Sequence, residues 1–451
     1  MSREFDVIVL GGGPAGEHCA ARLAEGGLRV AIVERELLGG ECSYWGCIPS
    51  KTLVRPGEAL QAAREAPGAA QAVDGLVVDS AAAFAWRDFM VSDYADAGQA
   101  GWARSAGIEV LRGAGRLNGP GRVVVGGETY VAEHVVLATG SDAVIPPIPG
   151  LRALDGVWTN REATGLRAVP RRLLILGGGP VGVELGQAVA RMGGEVAIVE
   201  GMDRLLAREP APLGDALAEA LRADGIELYL GQHATAASRQ DGDYVLALED
   251  GTVLRGDRLL VATGRRPRVG DLGLDTVGIE PVRGGIAVDA RMRAGDGLWA
   301  IGDVTGIWPL TYVGKYQGRV AAANILGRER EADYTAVPRV VFTDPQIAAV
   351  GEMDGPVTAT VPLAEVPRTA TYTRAYDTKP AFMTLVSDGE RLTGAYAAGP
   401  EAGEWLQQAT VAIRARVPLE VMHDVIQPFP TFSEAFLHAF LALEARVPAA
   451  V

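Results

Sequence analysis

Residues 5–34 read FDVIVLGGGPAGEHCAARLAEGGLRVAIVE, and residues 171–200 read RRLLILGGGPVGVELGQAVARMGGEVAIVE. Each has an apolar strand, a Gly-x-Gly-x-x-Gly turn, a helix of small residues and a second strand ending in glutamate. Gly11 to Glu34 and Gly177 to Glu200 span the same number of residues. A lone glycine fingerprint is a weak signal. Two in full βαβ context, each with its acid at the expected distance, predict two Rossmann-like dinucleotide-binding domains in an α/β chain. Gly11 and Gly177 allow the tight turn, Gly13 and Gly179 the approach of a pyrophosphate, Gly16 and Gly182 the packing of helix on strand. The pyrophosphate is then held by amides and the helix dipole rather than by basic side chains. Glu34 and Glu200 are placed to accept hydrogen bonds from an adenosine ribose. At Glu200 a 2′-phosphate would be repelled, and Gly201 rather than an arginine follows it, so NADH is expected over NADPH.

Beyond the repeat, the chain has 451 residues and a net charge of −14. That charge argues against nucleic acid and anionic membrane surfaces as partners. No apolar run approaches the roughly 20 residues of a membrane helix, and Arg3, Glu4 and Asp6 lead into a first strand rather than a signal peptide. Three cysteines do not make a secreted disulfide scaffold, so a cytoplasmic protein is expected. Cys19, among Ala20, Ala21 and Leu23, reads as a packed apolar residue. Lysine occurs only at Lys51, Lys315 and Lys379, a weak hint that a compact ammonium is wanted at these places.

Between the two fingerprints, Gly57–Arg64 and the span from Trp86 to Ala106 have helical character, and Gly113 to Tyr130 reads as short hairpins. Val135-Val136-Leu137-Ala138-Thr139-Gly140-Ser141 is a buried strand ending at glycine. Pro146, Pro147 and Pro149 follow, and a boundary is expected at Gly150. Leu260-Val261-Ala262-Thr263-Gly264 repeats that strand in the second unit. Leu298 to Val304 is a further apolar strand ending in Gly302-Asp303, where open α/β sheets bind ligands; a cap for the helix expected at Val313–Leu326 is the plainer reading. From Pro338 come β-rich segments (Arg339–Phe342, Ala348–Gly351, Ala381–Val386, Leu392–Gly399) and two helices, Ala402–Ala415 and Phe432–Ala445.

One stretch carries chemistry: Gly39-Gly40-Glu41-Cys42-Ser43-Tyr44-Trp45-Gly46-Cys47-Ile48-Pro49-Ser50-Lys51. Pro49 suits the opening turn of a helix, and a helix N-terminus lowers thiol pKa. Lys51, four residues past Cys47, falls on the same helical face. A reduced, buried cysteine pair is the plain alternative.

Together GGGPAG, GGECSYWGCIPSK, LATGS, GGGPVGVELG, VATGRRP, AIGD, PRVVFTDPQIAAVG and PTFSEA give a resemblance that covers essentially the whole chain. It resembles the flavoprotein disulfide reductases: dihydrolipoamide dehydrogenase, glutathione reductase, mercuric reductase and relatives. The resemblance implies FAD in the first unit, NAD(P)H in the second, and a C-terminal α+β domain that forms a homodimer. The division implied is 1–150 and 271–334 for FAD, 151–270 for NAD(P)H and 335–451 for dimerisation. FAD contacts are implied for Gly11, Gly13, Pro14, Ala15, Gly16, Glu34, Gly40, Glu41, Gly113, Ala138, Thr139, Gly140, Gly302 and Asp303, the last on the ribityl chain. Gly177, Gly179, Gly182, Glu200 and Gly264 are implied for the nicotinamide dinucleotide. Cys47 would face the flavin as the charge-transfer thiolate and Cys42 would be the outer thiol that attacks substrate. Lys51 would sit by flavin N5 and pair with Glu184. No metal site is expected.

The resemblance fails at the end of the chain. The family's closing motif is His-x-His-Pro-Thr-x-x-Glu, its second histidine the acid/base for dithiol chemistry. Here it reads Gln427-Pro428-Phe429-Pro430-Thr431-Phe432-Ser433-Glu434. Pro430, Thr431 and Glu434 match, but Phe429 cannot move a proton, a loss that typically costs roughly 10²–10⁴ in rate. His423 and His438 lie nearby but off the motif. Tyr44 and Trp45 differ too, and with Phe429 and Phe432 could make the outer pocket aromatic; packing is the equal alternative. The extra C-terminal cysteines of mercuric reductases and large thioredoxin reductases do not occur here. Three functions follow: an NADH-dependent flavoenzyme passing electrons through Cys42–Cys47 to a sulfur substrate, an NADH:acceptor reductase for a quinone, dye or metal ion, and a non-catalytic redox-sensing dimer.

Overall fold

The computed structural model describes residues 3–282, 284–373 and 379–446. Its chain gathers into two compact units. One comprises the chain up to Pro49, Ala85–Val144 and Gly264–Asp333; the other comprises Ser50–Phe84, Ile145–Thr263 and the chain from Tyr334 on.

In the first unit the strands Leu298–Ala300, Glu128–Leu137, Arg3–Leu10, Val30–Glu34 and Ile108–Arg112 lie side by side, all parallel. Strand runs such as Val7-Ile8-Val9-Leu10 and Val30 to Val33 are buried on both faces, as parallel strands covered on both sides require. Helix Pro14–Glu25 follows the first strand, with proline at its first position. The hairpin Gly115–Leu117 with Arg122–Val125 adds on antiparallel, as expected for that stretch.

The second unit repeats the plan. Glu227–Leu230, Glu195–Glu200, Arg172–Leu176 and Arg258–Val261 form a parallel sheet in the same spatial order as their counterparts. A three-stranded antiparallel sheet is inserted in the chain between Glu227–Leu230 and Arg258–Val261. After Tyr334 comes a five-stranded antiparallel sheet, Arg339–Val341, Gln346–Gly351, Leu392–Gly399, Phe382–Ser387 and Val357–Pro362. Helices Gln407–Ala415 and Glu434–Glu444 pack on it through Ala409, Ile413, Phe436 and Phe440.

Several elements differ from expectation. The helix expected at Gly57–Arg64 starts at Cys47 and runs unbroken to Glu65, through Pro56. The span from Trp86 to Ala106 is two helices, Ser80–Met90 and Ala97–Ser105, because Ser92, Asp93 and Tyr94 all turn left-handed between them. The helix expected from Ala402 breaks at Leu406. Strand Val357–Pro362 and helix Ala211–Ala223 were not foreseen.

The glycine turns are tightly packed in both nucleotide halves. A Cβ on Gly16 would stand 2.0 Å from the Gly11 carbonyl oxygen, and on Gly182 2.1 Å from that of Gly177. Gly101, inside helix Ala97–Ser105, has nothing within 4 Å of its added Cβ. Gly16→Ala is therefore expected to cost about 1–3 kcal/mol in denaturant unfolding, and Gly101→Ala to add about 0.5–1 kcal/mol. Equal effects at the two positions would contradict this reading of the turns.

Candidate active site

The two fingerprints are superposable in detail. Gly11 has φ +111° and Gly177 φ +110°, left-handed values that favour glycine. A Cβ on either would meet the Ala138 or Ala262 carbonyl oxygen at 2.3 and 2.4 Å. Beside Gly179 nothing lies within 4 Å, and beside Gly13 only the Gly40 Cα at 3.9 Å. The helix N-termini at Pro14 and Pro180 thus open onto space where a pyrophosphate fits. Glu34 accepts the Gly12 amide at 2.8 Å and the Glu36 amide at 2.7 Å, one on each oxygen. Glu200 does the same with Gly178 at 2.6 Å and Met202 at 2.8 Å. A carboxylate oxygen has lone pairs to spare, so both glutamates can still accept a ribose hydroxyl.

Around the first turn the other expected residues gather within one unit. Gly40 is left-handed, and a Cβ on it would press on the Gly13 Cα at 2.6 Å. Ala138 and Thr139 follow the strand Glu128–Leu137. Thr139 Oγ1 donates to the Arg268 carbonyl at 2.8 Å, and Gly140 accepts the Arg268 amide. Gly113, left-handed at φ +139°, donates its amide to the Glu34 carbonyl. Asp303 accepts from Ser141 Oγ at 2.5 Å, and Gly302 donates to Gln317 Oε1 at 2.6 Å. Ala15 lies against Gly302 and Gly314. Gly264, φ +122°, expected with the nicotinamide dinucleotide, falls instead in this first unit and accepts the Val144 amide. Glu41 stands 3.6 Å from both Arg265 and Arg268, two cations the sequence did not assign to the site.

Cys42 and Cys47 are joined as a disulfide. Cys42 lies in the short helix Gly40–Tyr44, and Cys47 opens the helix that runs to Glu65. Gly46 permits the return between them, since a Cβ there would meet the Glu41 carbonyl and the Cys42 Cα at 3.2 and 3.3 Å. Cys47 Sγ lies 3.3 Å from Thr311 Oγ1. Cys19 is buried, and burial pushes its thiol up to about 12; it is inert packing, as expected. In the second unit Lys51 Nζ donates to Glu184 Oε2 at 2.6 Å. The expected ion pair is present.

The aromatic pocket needs correction. Tyr44 is 1 % exposed and donates its hydroxyl to the Leu38 carbonyl, so it is core rather than pocket lining. Trp45 packs between Tyr44 and Tyr94. Phe432 is buried against Tyr372 in the C-terminal core. Phe429, at the motif's base position, is 72 % exposed. Glu434 is buried, and its Oε2 accepts no hydrogen bond among the described residues. His423 lies 3.2 Å from Glu444, and His438 is half-buried on the last helix.

Glu17 is a residue the sequence reading passed over. It follows the third glycine of the first fingerprint, and its Oε1 is shut from solvent with no partner among the described residues. Burial pushes its carboxyl from an ordinary 4.5 to about 7, with Lys315 opposing and Glu34 adding. A folded-state pKa above the unfolded one means stability that is full below pH 4.5 and lost as pH rises to 7. Glu17→Gln should match wild type near pH 4.5 and exceed it by on the order of 2–3 kcal/mol at pH 8, measured by urea unfolding.

Two paired dinucleotide turns and a disulfide at a helix start define a dinucleotide-dependent disulfide oxidoreductase. Comparison with known proteins supports that class along the chain. The model of the pyridine nucleotide-disulphide oxidoreductase family matches residues 5–318, and that of the same family's dimerisation domain matches 337–440. A mercuric reductase of Acidithiobacillus ferrooxidans is 36 % identical over 458 residues, covering 96 % of this chain and 81 % of the relative. A dihydrolipoyl dehydrogenase of Thermus scotoductus is 36 % identical over 456 residues, covering 98 % of each. Among solved structures, the Cu(II) complex of the HOCl-induced flavoprotein disulfide reductase RclA from Escherichia coli has a TM-score of 0.86 at 27 % identity, covering 98 % of this chain and 99 % of that one. This chain belongs to the pyridine nucleotide-disulfide oxidoreductase family. It is accordingly an FAD-dependent enzyme that moves electrons between NAD(P)H and a disulfide. No helix among the described residues is long and apolar enough to cross a membrane.

Proposed function

We propose that the chain is a homodimeric, cytoplasmic NADH-dependent flavoenzyme whose Cys42–Cys47 pair reduces a sulfur substrate with an easily ionised leaving group. The observation that carries this reading is Phe429, exposed and protonless where the family motif has its base. Residues 1–150 with 271–334 would hold FAD, 151–270 NADH, and 335–451 the dimer face. Glu200 supports NADH, since its carboxylate, held by the Gly178 and Met202 amides, would repel a 2′-phosphate and Gly201 offers such a phosphate no cation.

FAD, when bound, relays two electrons between nicotinamide and disulfide. The first unit's amides and Glu34 bind and orient it, and Asp303, fixed by Ser141, takes its polyol chain. Lys51, anchored by Glu184, would supply a cation to the isoalloxazine, where a positive charge favours the reduced form. Reduction of Cys42–Cys47 by two electrons breaks the S–S bond and leaves Cys47 as thiolate at the helix start. Cys42 attacks the substrate disulfide, expelling one thiolate and forming a mixed disulfide. Cys47 then attacks Cys42, restoring the internal bond and expelling the second thiolate. Neither expulsion is assisted by an imidazole, so thiols or persulfides of low pKa suit it best.

A second reading is an NADH:acceptor reductase acting on a quinone, dye or metal ion, which needs no thiol base. Phe429 favours it equally, and mercuric reductases and a Cu(II)-complexed flavoprotein stand among its relatives. Anaerobic NADH titration should raise a long-wavelength thiolate–flavin band, and Cys42→Ser should abolish disulfide turnover. Full acceptor activity after that change, with no disulfide turnover in wild type, would favour the second reading. Phe429→His should raise kcat with a plain dialkyl disulfide by roughly 10²-fold or more, while barely altering turnover of an activated aromatic disulfide; equal response to both would count against an unassisted leaving step.

A further inference from the structure

One face of helix Pro180–Arg191 is polar although the helix is buried. Glu184, Gln187 and Arg191 lie three and four residues apart, so they share that face. All three reach the segment Phe342-Thr343-Asp344, which follows strand Arg339–Val341 in the same unit. Glu184 Oε1 accepts the Phe342 amide at 2.9 Å, while its other oxygen holds Lys51. Gln187 grips the Asp344 backbone twice: its Oε1 accepts the amide at 2.8 Å, and its Nε2 donates to the carbonyl at 2.9 Å. That Nε2 also donates to Asp224 at 2.7 Å. Arg191 bridges Asp224 and Asp344 at 3.0 and 2.8 Å. Glu184 and Gln187 are 4 % and 2 % exposed, so water does not compete with these bonds.

The bracket has a consequence for Lys51. It fixes Phe342, whose ring faces the Lys51 ammonium at 4.6 Å from the ring centre. The ammonium is thus held between a carboxylate and an aromatic face, a geometry that keeps the cation in place. An exposed lysine tip would otherwise sample many rotamers.

We propose that Gln187 and Phe342 are positioning residues for Lys51, setting the cation's place through Glu184 and the 342–344 segment and thereby tuning the flavin's reduction potential. This rests on the reading of Lys51 as the cation beside the isoalloxazine. Arg191, Asp224 and Asp344 lock the bracket from behind.

The test is the flavin midpoint potential of the holoenzyme, equilibrated with a reference dye, alongside thermal melts. Lys51→Met should lower the ratio of reduced to oxidised flavin at fixed potential by about tenfold or more, about 30 mV for a two-electron couple. Gln187→Met and Phe342→Leu should lower it several-fold in the same direction, and Phe342→Tyr, which keeps the ring, should not. Gln187→Met made on a Lys51→Met background should add nothing, the mark of action through Lys51 rather than through general stability. A wild-type potential in Gln187→Met and Phe342→Leu, with Lys51→Met shifted, overturns the bracket and leaves the reading of Lys51 intact. A wild-type potential in Lys51→Met overturns both. An additive double variant overturns the bracket, and should Gln187→Met not fold, the Phe342 pair decides.

Discussion

A peptide carbonyl with no room for a methyl group in front of it governs both nucleotide halves. The Gly11 oxygen lies where a Cβ on Gly16 would stand, and the Gly177 oxygen where one on Gly182 would stand. Helix is thereby drawn down onto strand, and its first amides are aimed past Gly13 and Gly179 into open space. The two glutamates complete the geometry by holding the turn amides of Gly12 and Gly178. Each acid is therefore structural before it meets any ribose. An acidic chain can bind a dinucleotide this way because backbone amides and dipoles do the work of cations.

That constraint explains what was legible in the sequence. Glycine spacing, strand polarity and the terminal glutamate are local, so both halves could be foreseen. The cysteine stretch was legible as a helix start, while the Lys51–Glu184 pair, 133 residues apart in the chain, was implied by the family resemblance. What stayed hidden depends on distant contacts. Ser92, Asp93 and Tyr94 break a helix in left-handed conformations without a glycine to announce it. Tyr44 looks like pocket lining until its hydroxyl is seen on the Leu38 carbonyl. Glu41 pairs with arginines more than two hundred residues away, and Glu17 owes its high pKa to burial that no neighbour in sequence reveals.

The cations beside Glu41 and Glu184 are confined. Arg265 is tied to Ser141, and Arg268 to Asp142, so both guanidiniums beside Glu41 are fixed before any ligand arrives. Lys51 is confined more tightly still, by a carboxylate on one side and an aromatic ring on the other. A fixed charge costs no reorganisation when a negative charge develops near it, whereas a mobile one must first be ordered. The polar face of helix Pro180–Arg191 is what makes that ordering permanent. It is built from residues that burial would otherwise penalise, and their hydrogen bonds go to Lys51, the 342–344 segment and Asp224.

The C-terminal motif shows the opposite economy. Pro430, Thr431 and Glu434 keep the family's spacing, yet among the described residues of the single chain Glu434 has an oxygen without a hydrogen-bond donor and Phe429 is exposed. Glu434 lies in the first turn of the last helix, where a carboxylate complements the helix dipole. The proton-handling half of the motif is gone while its backbone half persists. A thiol exchange site so altered is not inactive in principle: attack by a thiolate depends on the leaving sulfur as much as on the base. Selectivity then shifts from the enzyme's imidazole to the substrate's own acidity, which narrows the range of disulfides such a site can turn over at useful rates.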